Sequence, residues 1–217
     1  MHVVLLGPQG SGKGTQAKLL AKQYKLAHIE TGAVFRYFAA QHNTLGRKIN
    51  RLINVEGKLI PDKMVIQVIA GAMQKVPRKQ GIVFDGYPRT LAQARTFDGL
   101  LKKAGRELTH VIYIPLRQST TIRRLSLRRI CLKCRTPWIS GVTIPRRAVI
   151  CPQCGGKVIQ RKDDTPPVIK KRLREYLKKT KPILSYYKHR GIVMTVDGEP
   201  SIGTVWRSIK KHLHDRH

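Results

Sequence analysis

Nine residues near the start, Gly7-Pro8-Gln9-Gly10-Ser11-Gly12-Lys13-Gly14-Thr15, constrain this chain more than any other stretch. They follow a short apolar run, Val3-Val4-Leu5-Leu6, and open a helical pattern. Strand, glycine loop, lysine, helix is the order that builds a phosphate cradle. Glycines let successive backbone N–H groups turn towards one anion. The helix start adds the positive end of its dipole, and Lys13 reaches the outer phosphates as a point charge. The general phosphate loop has Ser or Thr directly after its lysine. Here Gly14 takes that place and the hydroxyl follows at Thr15. The competing reading is a tight strand-to-helix turn with no ligand, and the flanking strand and helix disfavour it.

The chain has 217 residues, which suits one domain with insertions or two small ones. Hydrophobic residues make up 41 %, enough for a sizeable core. No apolar run is long enough to span a membrane, and a strand pattern starts at once where a signal peptide would stand. A soluble, cytoplasmic protein without a membrane partner is expected. Four cysteines fall into two pairs, Cys131-x-x-Cys134 and Cys151-x-x-Cys154. In a cytosolic chain that spacing argues for a metal rather than for disulfides. A redox pair and a nucleic-acid-reading zinc ribbon are the other readings.

Strands are expected at 2–6, 27–29, 81–85, 110–114 and 192–196, all short and continuously apolar, as in a parallel sheet buried on both faces. Helical patterns run over 13–24, 32–41, 62–75, 90–103, 116–129, 167–187 and 201–213, with Thr31, Asp62 and Thr90 as candidate caps. This alternation predicts an open α/β fold with ligands at the carboxyl ends of its strands. Two stretches interrupt it. Residues 31–60 predict small helices with no strand between them. Residues 128–164 hold the cysteines, several prolines and β-type runs such as Gly141-Val142-Thr143-Ile144. Both are read as insertions over the ligand edge.

Three further constellations carry chemistry. In Val83-Phe84-Asp85-Gly86-Tyr87-Pro88-Arg89-Thr90, an acid ends a buried strand beside the phosphate loop and can hold Mg²⁺ through its waters. Arg89 can clamp a phosphate bidentately; a plain β-turn with a helix cap is the alternative. In Thr31-Gly32-Ala33-Val34-Phe35-Arg36, a hydroxyl and an arginine suit a small phosphorylated ligand, though by itself the segment also reads as a surface helix. Arg124 and Arg128 fall at i, i+4 on one expected helix face, and Arg161, Asp163, Asp164 and Arg172 follow. A solvated basic face is the bland reading. In a chain with only 12 acids, two adjacent ones beside arginines point instead to fixed guanidinium poses.

Taken together, these motifs resemble the adenylate kinase family over essentially the whole chain, in its zinc-lid, long bacterial form. The GxxGxGKGT loop, the TG…R segment, DGYPRT followed by Gln93, the RxxxR pair, the Arg161/Asp163/Asp164 group and Arg172 occur in the family's order and spacing. The resemblance implies a five-stranded P-loop kinase core, an AMP-binding insertion at 31–60 and a zinc-binding lid at 128–164. It implies reversible, Mg²⁺-dependent transfer of the terminal phosphate of ATP to AMP, giving two ADP. Gly10, Ser11, Gly12, Lys13, Gly14 and Thr15 would wrap the ATP phosphates, Arg124 would stack on the adenine and Arg128 would bind phosphate. Pro137, Trp138 and the Gly198–Pro200 segment would also touch ATP. Thr31, Gly32, Arg36, Lys58, Leu59, Ile60, Gly86, Tyr87, Pro88, Arg89 and Gln93 would bind AMP, with Gln93 reading the adenine edge. Arg161 and Arg172 would bridge the nucleotides, Asp163 and Asp164 would serve the catalytic cluster, and Asp85 would hold Mg²⁺ through water. Cys131, Cys134, Cys151 and Cys154 would give a closed, structural Zn²⁺ site. A monomer is implied.

This chain departs from the family pattern at three places. Ala33 stands where Asp is usual, Asn54 where an apolar residue packs on AMP, and Arg135 where glycine often follows the first cysteine pair. The charge is a further peculiarity: 43 Lys+Arg against 12 Asp+Glu gives a formal +31. ATP and AMP bring about six negative charges. Lys13 and the six arginines at 36, 89, 124, 128, 161 and 172 answer them, which still leaves a formal +24 of the +31. That surplus predicts non-specific, salt-sensitive RNA binding. It keeps open a second reading, a nucleic-acid- or ribosome-associated protein on the same scaffold. The basic pairs are scattered and no aromatic RNA-binding motif accompanies them. A kinase for another nucleoside monophosphate is disfavoured by Gln93 and the long cysteine-bearing lid.

Overall fold

Five short strands carry the core, because their side chains are apolar on both faces. A computed structural model describes residues 1–56, 59–161 and 163–215, apart from the side chains of Leu45 and Asn54. Along the chain run β1 (His2–Leu6), α1 (Lys13–Gln23), β2 (Ala27–Glu30), α2 (Thr31–Ala39) and α3 (Thr44–Asn50), which continues as a π-turn over Arg51–Val55. Then come α4 (Asp62–Gln74), β3 (Ile82–Asp85), α5 (Leu91–Lys103), β4 (His110–Tyr113) and α6 (Gln118–Ser126). Strands β5 (Arg128–Cys131), β6 (Pro137–Ile139) and β7 (Val158–Gln160) follow. The chain ends with α7 (Pro166–Glu175), a π-turn over Tyr176–Thr180, α8 (Ile183–Lys188), β8 (Val193–Thr195) and α9 (Ile202–His214). Among these elements, none is a helix long and apolar enough to cross a membrane.

The main sheet has the order β2-β3-β1-β4-β8, and all its pairs are parallel. Alternation along β1 feeds two cores. Val3 and Leu5 pack with Ala17 and Leu20 of α1 and with Val205, Ile209 and Leu213 of α9. Val4 and Leu6 point the other way, towards Ile69 of α4, Phe97 of α5 and Tyr187 of α8. Burying each such side chain contributes about 1.5–3 kcal/mol, so both faces must be covered. The chain leaves β1 towards β2 and β3, then crosses to the other side for β4 and β8. The switch therefore falls at β1, whose end carries the glycine loop, and ligands bind at such a switch.

The interrupting segments form structure of their own. Residues 31–56 make α2, α3 and the π-turn, with Asn43 capping α3 by accepting from the Gly46 N–H at 2.7 Å. The second segment folds as an antiparallel sheet in the order β6-β5-β7 around a small core of Cys131, Ile144, Cys151 and Val158.

Several sequence expectations need correction. The helix expected over 116–129 stops at Ser126, and Arg128 opens β5, paired with Ile139. Arg124 and Arg128 therefore do not share a helix face. The side chain of Arg128 is drawn instead to a buried acid, Asp164, at the far end of the segment. The run 141–144 is a tight turn and not a strand: the Gly141 N–H donates to the Ile144 carbonyl at 2.8 Å. The helix expected over 167–187 is broken by the π-turn and Pro182. Thr90 caps α5 as expected, accepting from the Gln93 N–H at 3.1 Å. Thr31 and Asp62 do not cap; each is the first residue of its helix and bonds elsewhere.

Candidate active site

The phosphate loop leaves β1 and enters α1 through Gly12, which adopts the left-handed φ of 89° that favours glycine. Gly14 serves a different purpose. A Cβ there would stand 3.0 Å from Oδ2 of Asp85, so glycine lets the strand-end carboxylate lie directly against the loop. Lys13 curls back in this state, its ammonium donating to the Gly7 and Pro8 carbonyls at 2.7 and 2.6 Å. Burial pushes it down to about 8, with Asp85 opposing and Arg89, Arg172 and Arg128 adding to the fall. Burial raises the Asp85 carboxyl, with Lys13 opposing. The Ser11 hydroxyl is buried with no partner among the described residues.

Above the loop sits an arginine cluster held by two acids. Arg128 grips Asp164 bidentately, Nε to Oδ2 at 2.7 Å and Nη2 to Oδ1 at 2.6 Å. Arg161 grips Asp163 in the same way at 2.9 and 2.6 Å. Arg172, from α7, also donates to Asp163 Oδ2 at 2.8 Å. Asp163 is 3 % exposed and Asp164 0 %, so removing either would leave a guanidinium unpaired in low dielectric. Burial alone would push Asp163 up; Arg172 and Arg161 outweigh it and hold the carboxyl well below the usual carboxylate range. Burial brings Arg172 down to about 10.

Lys13, Arg161, Arg172 and Asp163 line one cleft with Thr31, Gly32, Arg36, Leu59, Ile60, Asp85, Gly86, Pro88, Arg89 and Gln93. It holds about 1110 Å³ of empty space, part of it continuous with solvent. At its far end the Gln93 amide is fixed on both sides. Its oxygen accepts from the Arg89 N–H at 2.7 Å, and its nitrogen donates to Asp62 Oδ1 at 2.6 Å. The two partners decide the amide's orientation. Arg89 Nε donates to the Gly86 carbonyl at 2.7 Å. Arg36 pairs with Glu30 at 2.6 Å, and burial brings its guanidinium down to about 10.

Other expected residues fall outside this cleft. Tyr87 is buried in the core, edge-on to Phe97 at 5.2 Å. Arg124 joins the loop region to the 198–200 segment, donating to the Gly198 and Glu199 carbonyls at 2.9 and 2.8 Å. Pro137 lies on β6, and Trp138 packs against the cysteine core. Lys58 and the Asn54 side chain lie outside the described residues.

The four cysteines converge as free thiols, with Cys131 and Cys151 buried. Cys131 and Cys154 sulfurs are 3.5 Å apart, Cys134 and Cys151 sulfurs 3.7 Å. A tetrahedral zinc with bonds of about 2.3 Å needs sulfur separations of roughly 3.8 Å. A Cβ at Gly156 would come within 2.9 Å of the Cys131 sulfur, so this glycine keeps the pocket open. The donor set fits a four-thiolate metal site.

Strand order, phosphate loop, arginine cluster and paired cysteine loops agree with one family. The family model for adenylate kinase matches residues 5–192. An adenylate kinase of Fervidobacterium nodosum is 39 % identical over 208 residues, 95 % of this chain and 94 % of the relative. One of Kosmotoga olearia is 36 % identical over 215 residues, covering 99 % and 100 %, and one of Archaeoglobus fulgidus 35 % over 213, covering 98 % of each. The chain belongs to the adenylate kinase family. It is therefore an enzyme of the nucleoside monophosphate kinase class, acting by phosphoryl transfer between nucleotides.

Four residues in or beside this cleft are not singled out by the sequence. Asp62 had the look of a cap, and its partner stands 31 positions away. Glu30 precedes Thr31 with no motif of its own. Tyr176 and Thr180 line the cleft from the π-turn after α7, where the Thr180 hydroxyl donates to the Arg89 carbonyl at 2.8 Å. Their local sequence gives no sign of these contacts, which are made by residues distant along the chain.

Proposed function

We propose that this enzyme transfers the terminal phosphate of ATP to AMP and back, forming two ADP. The observation that carries the reading is the Asp163 carboxylate holding Arg161 and Arg172 in the same cleft as Lys13, Arg36 and Arg89. Two phosphate chains meeting end to end need such a bridge. Phosphoryl transfer asks for positioning and charge stabilisation more than for a base.

In this reading the backbone of Gly10, Ser11, Gly12, Gly14 and Thr15 cradles the ATP phosphates. Lys13 leaves the Gly7 and Pro8 carbonyls for them. Arg128 meets ATP phosphate, and Arg124 with the Gly198–Pro200 segment bounds the base, as would Pro137 and Trp138 from a closing lid. Arg36 and Arg89 take the AMP phosphate, while Thr31, Gly32, Leu59, Ile60, Gly86 and Pro88 shape its pocket and Tyr87 stays in the core. Gln93, oriented by Asp62, offers one donor and one acceptor to the adenine edge. Segment 31–60 acts as the AMP flap and 128–164 as the lid, whose closure keeps water from competing as acceptor.

Mg²⁺ arriving with ATP would neutralise phosphate charge, and the Asp85 carboxylate beside Gly14 is the group to hold its water shell. Zn²⁺ would tie the two cysteine loops of the lid together. A monomer in the cytoplasm remains the expectation that goes with this reading, because Cys-x-x-Cys pairs that hold a metal belong to reducing compartments. The remaining positive charge supports salt-sensitive RNA association, but no arrangement of those residues favours a nucleic-acid function over phosphoryl transfer.

A coupled ADP-formation assay tests the reading. Zinc-loaded protein should turn over only with ATP and AMP together, and replacing AMP by GMP, CMP or UMP should sharply lower the rate. Absence of ATP- and AMP-dependent turnover would overturn it.

A further inference from the structure

We propose that the nucleotide-free protein binds one divalent transition-metal ion between His28, Glu30 and Asp85, at a site separate from the four cysteines. A ring nitrogen of His28 and carboxylate oxygens of Glu30 and Asp85 all lie within 4.8 Å of one another. The sheet brings them together. His28 and Glu30 are two apart on β2 and so project from one face. Glu30 stands in register with Asp85 at the end of β3. Nε2 of His28 is buried without a hydrogen-bond partner among the described residues. An imidazole nitrogen cut off from water and unpaired calls for an explanation, and a bound ion supplies one. β2 is the edge strand and the Glu30 side chain keeps 31 % exposure, so an ion has a way in.

The donors choose the ion. One imidazole with two carboxylates suits Mn²⁺, Fe²⁺, Co²⁺ or Zn²⁺, whereas Mg²⁺ and Ca²⁺ prefer oxygen alone. Neighbouring cations set a limit on affinity. Arg36 occupies Oε1 of Glu30 at 2.6 Å, and Lys13 and Arg89 act on Asp85. The ion shares Glu30 with Arg36 through the second carboxylate oxygen. This site is independent of the phosphoryl-transfer reading. There Mg²⁺ reaches Asp85 through water together with ATP; here the ion bonds directly and needs no nucleotide.

The test uses the full chain, free of nucleotide and carrying one equivalent of zinc, which the four thiolates take in preference, so that the second site is left for Mn²⁺. Titrating it with Mn²⁺ and following the free ion by electron paramagnetic resonance should reveal one Mn²⁺ per chain. Uptake should weaken about tenfold or more in Glu30→Gln and in His28→Gln. Electron spin-echo modulation of the wild-type complex should detect a directly bound imidazole nitrogen, lost in His28→Gln. Wild-type protein that takes up no Mn²⁺, or takes it up without nitrogen coupling, overturns the proposal whatever the variants do. Nitrogen coupling that persists in His28→Gln overturns it too, since another histidine then holds the ion.

Discussion

Arg128 and Asp164 tie the two ends of segment 128–164 to each other: the first residue of β5 meets an acid 36 positions later through paired bonds of 2.7 and 2.6 Å. The segment thereby leaves and rejoins the core at one point, beside the cluster of Asp163, Arg161 and Arg172.

Replacing Asp164 by Ala strands the Arg128 guanidinium, 14 % exposed, without its partner. Breaking a buried pair costs about 3–5 kcal/mol, which corresponds to a melting point lower by roughly 10 °C for a chain of this size. Calorimetry should find that fall, with a lower kcat/KM for ATP. A loss under 2 °C would mean that the pair does not tie the lid.

In the proposed reading, Asp62 should act on AMP through Gln93. In Asp62→Ala the Gln93 nitrogen loses its acceptor at 2.6 Å and the amide is free to turn. About 1–3 kcal/mol of orientation is at stake, so KM for AMP should rise about fivefold or more while KM for ATP holds. Discrimination against GMP should narrow as well, which a purely structural loss would not do. Steady-state kinetics with both acceptors decides it.

Lys13 should make ATP binding depend on pH. In the free protein it loses its proton near pH 8. Bound phosphate restores the charge, so above pH 8 binding must take up a proton. Affinity for ATP should hold up to about pH 8 and then weaken by up to about tenfold per pH unit. Lys13→Met should bind weakly at every pH with no such slope. Calorimetric titration from pH 6.5 to 9.5 reads both.

Arg135 and Gly155 occupy the same turn after the two cysteine pairs, with φ of 59° and 68°. The N–H of each donates to the carbonyl of the first cysteine of its pair, at 3.1 and 2.9 Å. A left-handed conformation costs a non-glycine residue about 1–2 kcal/mol, and Arg135 is exposed. Arg135→Gly should raise the melting point by about 2–4 °C, part of the gain being lost to unfolded-chain entropy.

Metal removal should undo the lid. Elemental analysis is expected to find about one zinc per chain. Chelation, or Cys131→Ser at a fully buried ligand, should lower thermal stability markedly. A metal-free wild type that melts at the same temperature would count against a structural role.

Local chemistry made some of this legible from the sequence. Gly7 to Thr15 and the two Cys-x-x-Cys pairs carry meaning at short spacing, because a loop that wraps phosphate or grips a metal is built from consecutive backbone. The five strands announced themselves by unbroken apolar runs, since a parallel sheet is covered on both sides. The i, i+4 spacing of Arg124 and Arg128 suits a helix, whereas the strand conformation of Arg128 is set by pairing with Ile139 on the neighbouring strand.

By itself, the sequence determined the fold class, the phosphate loop, the cysteine quartet and the presence of an arginine cluster. Tertiary structure decided the partnerships: Asp164 with Arg128, Asp163 shared by Arg161 and Arg172, Asp62 on Gln93, and His28 and Glu30 beside Asp85. The physical reason is the range of the interactions. Backbone preference and apolar periodicity act over a few residues and can be read in order. Ion pairs and hydrogen bonds gain their strength only where folding has excluded water, and which groups meet there depends on strand order and register.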